Sequence, residues 1–209
     1  MLISPKLQMV FVHVPKTGGV SIQQFLDSHV EDPITGNVRH ARLGYILRNY
    51  PETHDYFSFG FVRNPWKRMV SWYSMMEAWN RTWGPASGKP QVERGGMKDG
   101  NEQWRAVAGY ADFEEFVMRG PVDLPRVGLA QIDYLTAKRR RVDFIGRTET
   151  LGRDLMVVAE RLGLPAEEPP HRNKSKHGTH VDYYNDRTRQ RVAEVYAKDI
   201  DAFGYTFDE

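Results

Sequence analysis

At 209 residues, 40% of them hydrophobic and 12% aromatic, the chain is long enough for one domain over 1–209 with its own core, and it suits a soluble globular enzyme or binding domain. It contains no cysteine, which excludes disulfides, thiolate zinc sites and thiol catalysis and fits a reducing cytoplasm. Lys plus Arg number 29 against 27 Asp plus Glu, a formal net charge of +2, so no general nucleic-acid coat is indicated. No apolar run approaches the length of a membrane span, and the segment from Met1 to Lys6 does not read as a signal peptide. Positive charge is local instead, in Lys138–Arg141 and in the acid-free stretch from His171 to Val181.

In chain order, residues 8–14 are apolar apart from Gln8 and His13 and read as a strand buried on both faces. The turn Pro15, Lys16, Thr17, Gly18, Gly19 follows, and Val20, Ile22, Phe25 and Leu26 then take helical spacing. A helix is predicted over 41–49 and a second buried strand over 57–62. Asn64 and Pro65 carry the N-cap and first-turn signature of a third helix, which buries Trp66, Met69, Val70, Tyr73 and Met76. Residues 80–101, rich in glycine and proline, predict a mobile loop. Asp112 to Glu115 resembles a capping box opening a helix that stops at Gly120 and Pro121. Residues 128–136 are predicted helical, 142–145 a third strand, and a helix from Thr148 or Thr150 ends at Gly163 and Pro165. The last helix is expected over 186–202. Strands separated by helices predict a three-layer α/β domain with a mostly parallel central sheet flanked by helices.

Two strand-to-helix turns carry the chemistry. The first joins a lysine, two adjacent glycines and the hydroxyls of Thr17 and Ser21 where a buried strand hands over to a helix. Such a turn aims backbone N–H groups at an anion, and the helix dipole adds to the attraction. Its lysine precedes the glycines, so the GxxxxGK[ST] order of a nucleoside triphosphatase is missing. In the second turn Arg63 sits just past a strand end, where ligands collect in open α/β sheets. Ser71 lies roughly two helical turns further on. An arginine fork and a hydroxyl can hold a second phosphate. The plainer alternatives are a surface lysine on an ordinary turn, an Arg63 ion pair at a helix start and an exposed Ser71.

The paired blocks, Pro15–Ser21 and Arg63–Ser71, resemble the sulfotransferase superfamily. Within it they resemble in particular the carbohydrate branch that includes heparan sulfate 2-O-sulfotransferases and related bacterial proteins. Weaker blocks at Val142–Glu149, Asn173–Ser175 and Tyr196–Tyr205 follow in the family's order. The resemblance implies a P-loop-like fold and 3'-phosphoadenosine 5'-phosphosulfate (PAPS) as co-substrate, with 3'-phosphoadenosine 5'-phosphate (PAP) as product. It implies that Lys16, Thr17, Gly18, Gly19, Val20 and Ser21 bind the phosphosulfate, and that Arg63 and Ser71 bind the 3'-phosphate. Lys174 and Ser175 look like a late loop closing over the donor, or else a solvated basic loop.

The acceptor is then a hydroxyl on a carbohydrate or glycoconjugate. Lys16 is expected to neutralise charge on the bridging oxygen, and no metal is expected. The base expected for the acceptor is His40, since an unperturbed imidazole titrates near neutrality and 2-O-sulfotransferases use a histidine in this region. A surface histidine at a helix start is the alternative, with His54, Asp55 and Glu52 as fallback bases. His13 is read as a strand residue packed under the loop, and His171, His177 and His180 as a polar loop, not a metal site. Trp72 is assigned to the core and Trp83 to acceptor contact. The sequence departs from Golgi-resident relatives in its small size, missing anchor and missing cysteines, which points to a soluble, bacterial-type, cytoplasmic enzyme. Two competing readings are a P-loop-type kinase using ATP and a non-catalytic nucleotide-binding protein.

Overall fold

The computed structural model describes residues 1–83, 109–165 and 179–209. Its described elements, in chain order, are β1 (Leu2–Ser4), β2 (Met9–Val12), α1 (Gly19–His29), α2 (Leu43–Asn49), β3 (Phe57–Val62), α3 (Pro65–Trp83), α4 (Phe113–Asp123), α5 (Pro125–Gly128), α6 (Ile132–Leu135), β4 (Thr136–Ala137), β5 (Arg140–Arg141), β6 (Phe144–Arg147), α7 (Leu151–Leu162), α8 (Asp186–Val195) and α9 (Ala197–Phe203). The chain divides into two compact units, Met1–Asn64 with Gln131–Lys174, and Pro65–Ala130 with Ser175–Glu209.

The first unit is mixed α/β. Its sheet has the order β1-β2-β3-β6, in which β2, β3 and β6 are parallel and only β1 runs against its neighbour. Register places Phe11 opposite Phe59 and Phe59 opposite Phe144. The Phe11 and Phe59 rings stack at 5.3 Å. Because strand side chains alternate, Met9, Phe11, Phe59 and Phe61 share one face. They pack there with Ile22, Phe25 and Leu26 of α1 and Leu155, Val158 and Ala159 of α7. Each fully buried phenylalanine contributes roughly 2–3 kcal/mol of apolar transfer free energy. On the other face Gly60 leaves no room for a Cβ, because the Leu135 side chain lies against it. On α2, which buries Leu43, Ile46 and Leu47, Gly44 faces the Ala137 methyl, to which a Cβ would come within 3.4 Å.

The second unit is helical among its described residues. Arg68 of α3 is fully buried, donates to the Leu129 carbonyl at 3.2 Å and lies over the Tyr196 ring. The Tyr196 hydroxyl donates to the Val127 carbonyl. Trp66 donates its indole N–H to the Arg189 carbonyl at 3.0 Å, and Trp72 is core, as expected.

Several boundaries differ from the sequence reading. The strand expected over 8–14 pairs only over Met9–Val12, and β1 and the β4–β5 hairpin were not anticipated. The third strand moves from 142–145 to Phe144–Arg147 because Asp143 is occupied with Ser58, whose N–H and hydroxyl both donate to its carboxylate at 2.7 Å. The helix expected over 128–136 is replaced by two single turns, α5 and α6, and the start of the hairpin. At α4 the Asp112 cap forms, accepting from the Glu115 N–H at 2.8 Å. That helix runs through Pro121 to Asp123, with Leu124 N–H closing onto the Gly120 carbonyl at 2.9 Å. The last helix breaks at Tyr196, the residue tethered to Val127. Residues 80–83 of the expected loop continue α3, and 84–101 lie outside the described residues.

Candidate functional site

In the parallel part of the sheet, Val12 pairs with Gly60 and Val62 with Arg147. The turn 15–19 and Arg63 therefore leave the sheet at the same, C-terminal, end, where open α/β sheets place their ligands. The fallback bases Glu52, His54 and Asp55 occupy the turn Pro51–Asp55 before β3, at the opposite end. A six-residue strand puts them roughly 20 Å away.

The glycine turn is built by backbone conformation. Lys16 (φ 69°) and Gly18 (φ 76°) are left-handed, a form that turns successive N–H groups into an anion-receptive concavity and that costs Lys16 about 1 kcal/mol or more. Thr17 is buried and its hydroxyl donates to the Val14 carbonyl at 2.9 Å. Its hydroxyl therefore braces the turn, and what it offers a ligand is its backbone N–H. Gly18 is the N-cap of α1; no side chain caps that end, and its first turn carries no acid. An 11-residue helix thus presents its positive dipole end behind the turn. Lys16 is half-buried, Ser21 buried in the first turn of α1 and Val20 exposed.

Beneath the turn lies His13, 3% exposed. A Cβ on Gly19 would overlap the His13 ring, so glycine is required there by close approach. The ring lies against Phe11 at 5.4 Å and against the His40 ring edge at 4.5 Å. Its Nδ1 is buried with no hydrogen-bond partner. Burial first, then the neighbouring His40, pushes the His13 pKa down to about 2, so the ring stays neutral at working pH. The sequence reading of His13 as a residue packed under the loop agrees with this placement.

His40 is held by the same residue. Its Nδ1 lies 2.9 Å from the His13 carbonyl. A carbonyl can only accept, so Nδ1 carries the proton and a neutral His40 keeps its lone pair on Nε2. His40 is half-buried.

Arg63, also half-buried, stands on a backbone gripped by side chains. Its N–H donates to Gln131 Oε1 at 2.9 Å and its carbonyl accepts from Gln131 Nε2 at 2.8 Å. Thr148 donates to the Val62 carbonyl at 3.0 Å, and the Asn64 N–H donates to Glu149 Oε1 at 2.8 Å. Thr148 and Glu149 belong to the weak block 142–149. Gln131, a lone glutamine in an irregular segment, gives no sequence signal.

The structure thus gathers the glycine turn, His40 and Arg63 at one sheet end. Ser71 is a half-buried residue of α3 in the second unit. Lys174 and Ser175 lie outside the described residues, as do His171, His177, Trp104 and the side chain of Trp83. The His180 ring donates Nε2–H to the Phe207 carbonyl at 2.7 Å. Among the described residues no group of three or more His, Asp or Glu side chains is placed to hold a metal ion, and no helix is long and apolar enough to cross a membrane.

The model of the sulfotransferase family matches residues 1–206. Comparison with curated proteins and with solved structures gives no match.

Proposed function

The chain belongs to the sulfotransferase family, and from that premise we propose that it moves a sulfuryl group from PAPS to a hydroxyl of a carbohydrate or glycoconjugate. We further propose that it does so as one domain over 1–209, a cytoplasmic, bacterial-type member of the carbohydrate branch. The observation that carries the reading is the pair of anion-receptive elements at the C-terminal end of the parallel sheet: the uncapped N-terminus of α1 behind a left-handed turn, and Arg63 on a braced strand exit. One donor molecule has a matching pair of charges, a 5'-phosphosulfate and a separate 3'-phosphate.

In this reading the N–H groups of residues 17–20 and the Ser21 hydroxyl hold the phosphosulfate, while the Ser21 N–H closes the turn onto the Gly18 carbonyl at 3.0 Å and Gly19 leaves room for the His13 ring beneath the turn. Arg63 takes the 3'-phosphate; the part of Ser71 rests on its spacing in the sequence, and that of Lys174 and Ser175 on their resemblance to the family's late loop. His40 Nε2 takes the proton of the acceptor hydroxyl as its oxygen bonds to sulfur. The bond from sulfur to the bridging oxygen breaks, and PAP leaves with the electron pair. Lys16 neutralises the charge that grows on that oxygen, and positioning with charge stabilisation supplies most of the rate. All atoms balance without a metal.

Calorimetry with PAP, adenosine 5'-phosphate and ATP tests the donor. PAP is expected to bind tightest, and Arg63→Ala to weaken PAP much more than adenosine 5'-phosphate, since a charge-assisted phosphate contact is worth roughly 1.5–3 kcal/mol. ATP binding more tightly than PAP, with no gain from a 3'-phosphate, would refute the assignment in favour of a kinase. PAP binding without labelled-sulfate transfer to any acceptor in a sugar panel would point to a non-catalytic nucleotide-binding protein.

A further inference from the structure

We propose that Gln131 is a positioning residue for recognition of the donor's 3'-phosphate, acting through the backbone of Arg63. This rests on the function proposed above, which gives Arg63 that phosphate.

The sheet ladder ends at the Val62–Arg147 pair. Beyond it the chain must turn into α3 while presenting Arg63. The next backbone groups are bonded by side chains: the Val62 carbonyl by Thr148, both polar groups of Arg63 by Gln131, and the Asn64 N–H by Glu149. Gln131 is the centre of this brace. It is fully buried, and its amide uses its oxygen and its nitrogen on the same residue. A buried primary amide is costly unless both ends are bonded, and here one backbone conformation of Arg63, with its N–H and its carbonyl on either side of the Cα, bonds both. With the N–H and C=O of Arg63 fixed, its φ and ψ are fixed, and so is the direction in which its Cα–Cβ bond leaves the chain. A bidentate guanidinium contact depends on that direction, because the fork is planar and rigid. Releasing the peptide lets Arg63 sample directions in which the fork misses the phosphate. Contacts to the rest of the nucleotide are unaffected.

The test uses the full chain and two variants. Gln131→Met keeps the side-chain length and removes both bonds. Gln131→Glu keeps an acceptor for the Arg63 N–H and loses the donor to its carbonyl. Affinities for PAP and adenosine 5'-phosphate are measured by calorimetry, and exchange of the Arg63 amide hydrogen by NMR. The expected result is a roughly tenfold or greater loss of PAP affinity in Gln131→Met with adenosine 5'-phosphate within about twofold, since small misplacements of a positioning group carry costs of this order. Arg63 amide exchange is expected to be faster, and Gln131→Glu to fall between wild type and Gln131→Met in the ratio of the two affinities. Equal losses of both nucleotides would reduce Gln131 to a structural residue and overturn the proposal. Full retention of the wild-type ratio in both variants would overturn it too. If wild type itself shows no preference for the 3'-phosphate, the donor assignment fails first, which separates the two failures.

Discussion

Replacing Gly19 by alanine is the sharpest perturbation of the glycine turn, because its cost can be read from one side chain. A Cβ at residue 19 would overlap Nε2 and Cδ2 of His13 and come within 2.9 Å of Cε1. The His13 ring has little room to yield: Phe11 stacks on it at 5.4 Å, the His40 ring abuts it at 4.5 Å, and it is 3% exposed. Overpacking of this kind costs roughly 1–3 kcal/mol, which in a chain of this length lowers Tm by about 2–4 °C per kcal/mol. Gly152 in α7 is the control, since a Cβ there meets nothing within 4 Å. Gly152→Ala is expected to stabilise by up to about 1 kcal/mol through helix propensity alone. Thermal melts followed by circular dichroism compare the two. His13→Ala makes room for the added methyl, so a double-mutant cycle between residues 13 and 19 should give a coupling of about 1 kcal/mol or more. A Gly19→Ala variant as stable as Gly152→Ala, or a His13→Ala cost that is the same with either residue at 19, would refute tight packing of the His13 ring under the turn.

Two further outcomes follow from the histidine pair. His13 has a folded-state pKa of about 2 against 6.5 unfolded, so between these values the unfolded state binds the extra proton and stability falls as pH falls. Its contribution is fully present above pH 6.5 and is lost progressively toward pH 2. Between pH 7 and pH 5 this amounts to roughly 2 kcal/mol, measurable by urea denaturation, and His13→Leu should remove that part of the pH dependence; an unchanged slope would mean the ring is not held neutral. His40→Ala should lower labelled-sulfate transfer by about 10²–10⁴-fold, the usual range for a general base, while PAP affinity stays within about twofold. Transfer at the wild-type rate removes His40 as the base.

Much of the candidate site's arrangement was legible because its signals are local. Pro15 to Gly19 sits after four consecutive buried residues of β2, and only a few residue types tolerate the backbone of such a turn. Arg63 could be placed because β3 was read with its observed bounds, Phe57–Val62, and the end of a parallel strand is the ligand end. Boundaries failed where distant residues compete with local preference. Asp143 reads as part of a strand, yet its carboxylate bonds Ser58 in β3, 85 residues away. Tyr196 reads as mid-helix, yet its hydroxyl is bonded to Val127 in α5. The pair β4–β5 gave no alternation to read because each strand has only two residues.

By itself, then, the sequence determined the class of fold, the glycine turn and the arginine at a strand exit, since these follow from periodicity, backbone freedom and charge over a few neighbouring residues. Only the tertiary structure decided how those groups are held. His13 lies under Gly19 with its carbonyl fixing the His40 tautomer across 27 residues, and Gln131 brackets a peptide 68 residues before it. Such bonds join donors and acceptors that the fold alone brings within 3 Å, and neither spacing nor composition along the chain records them.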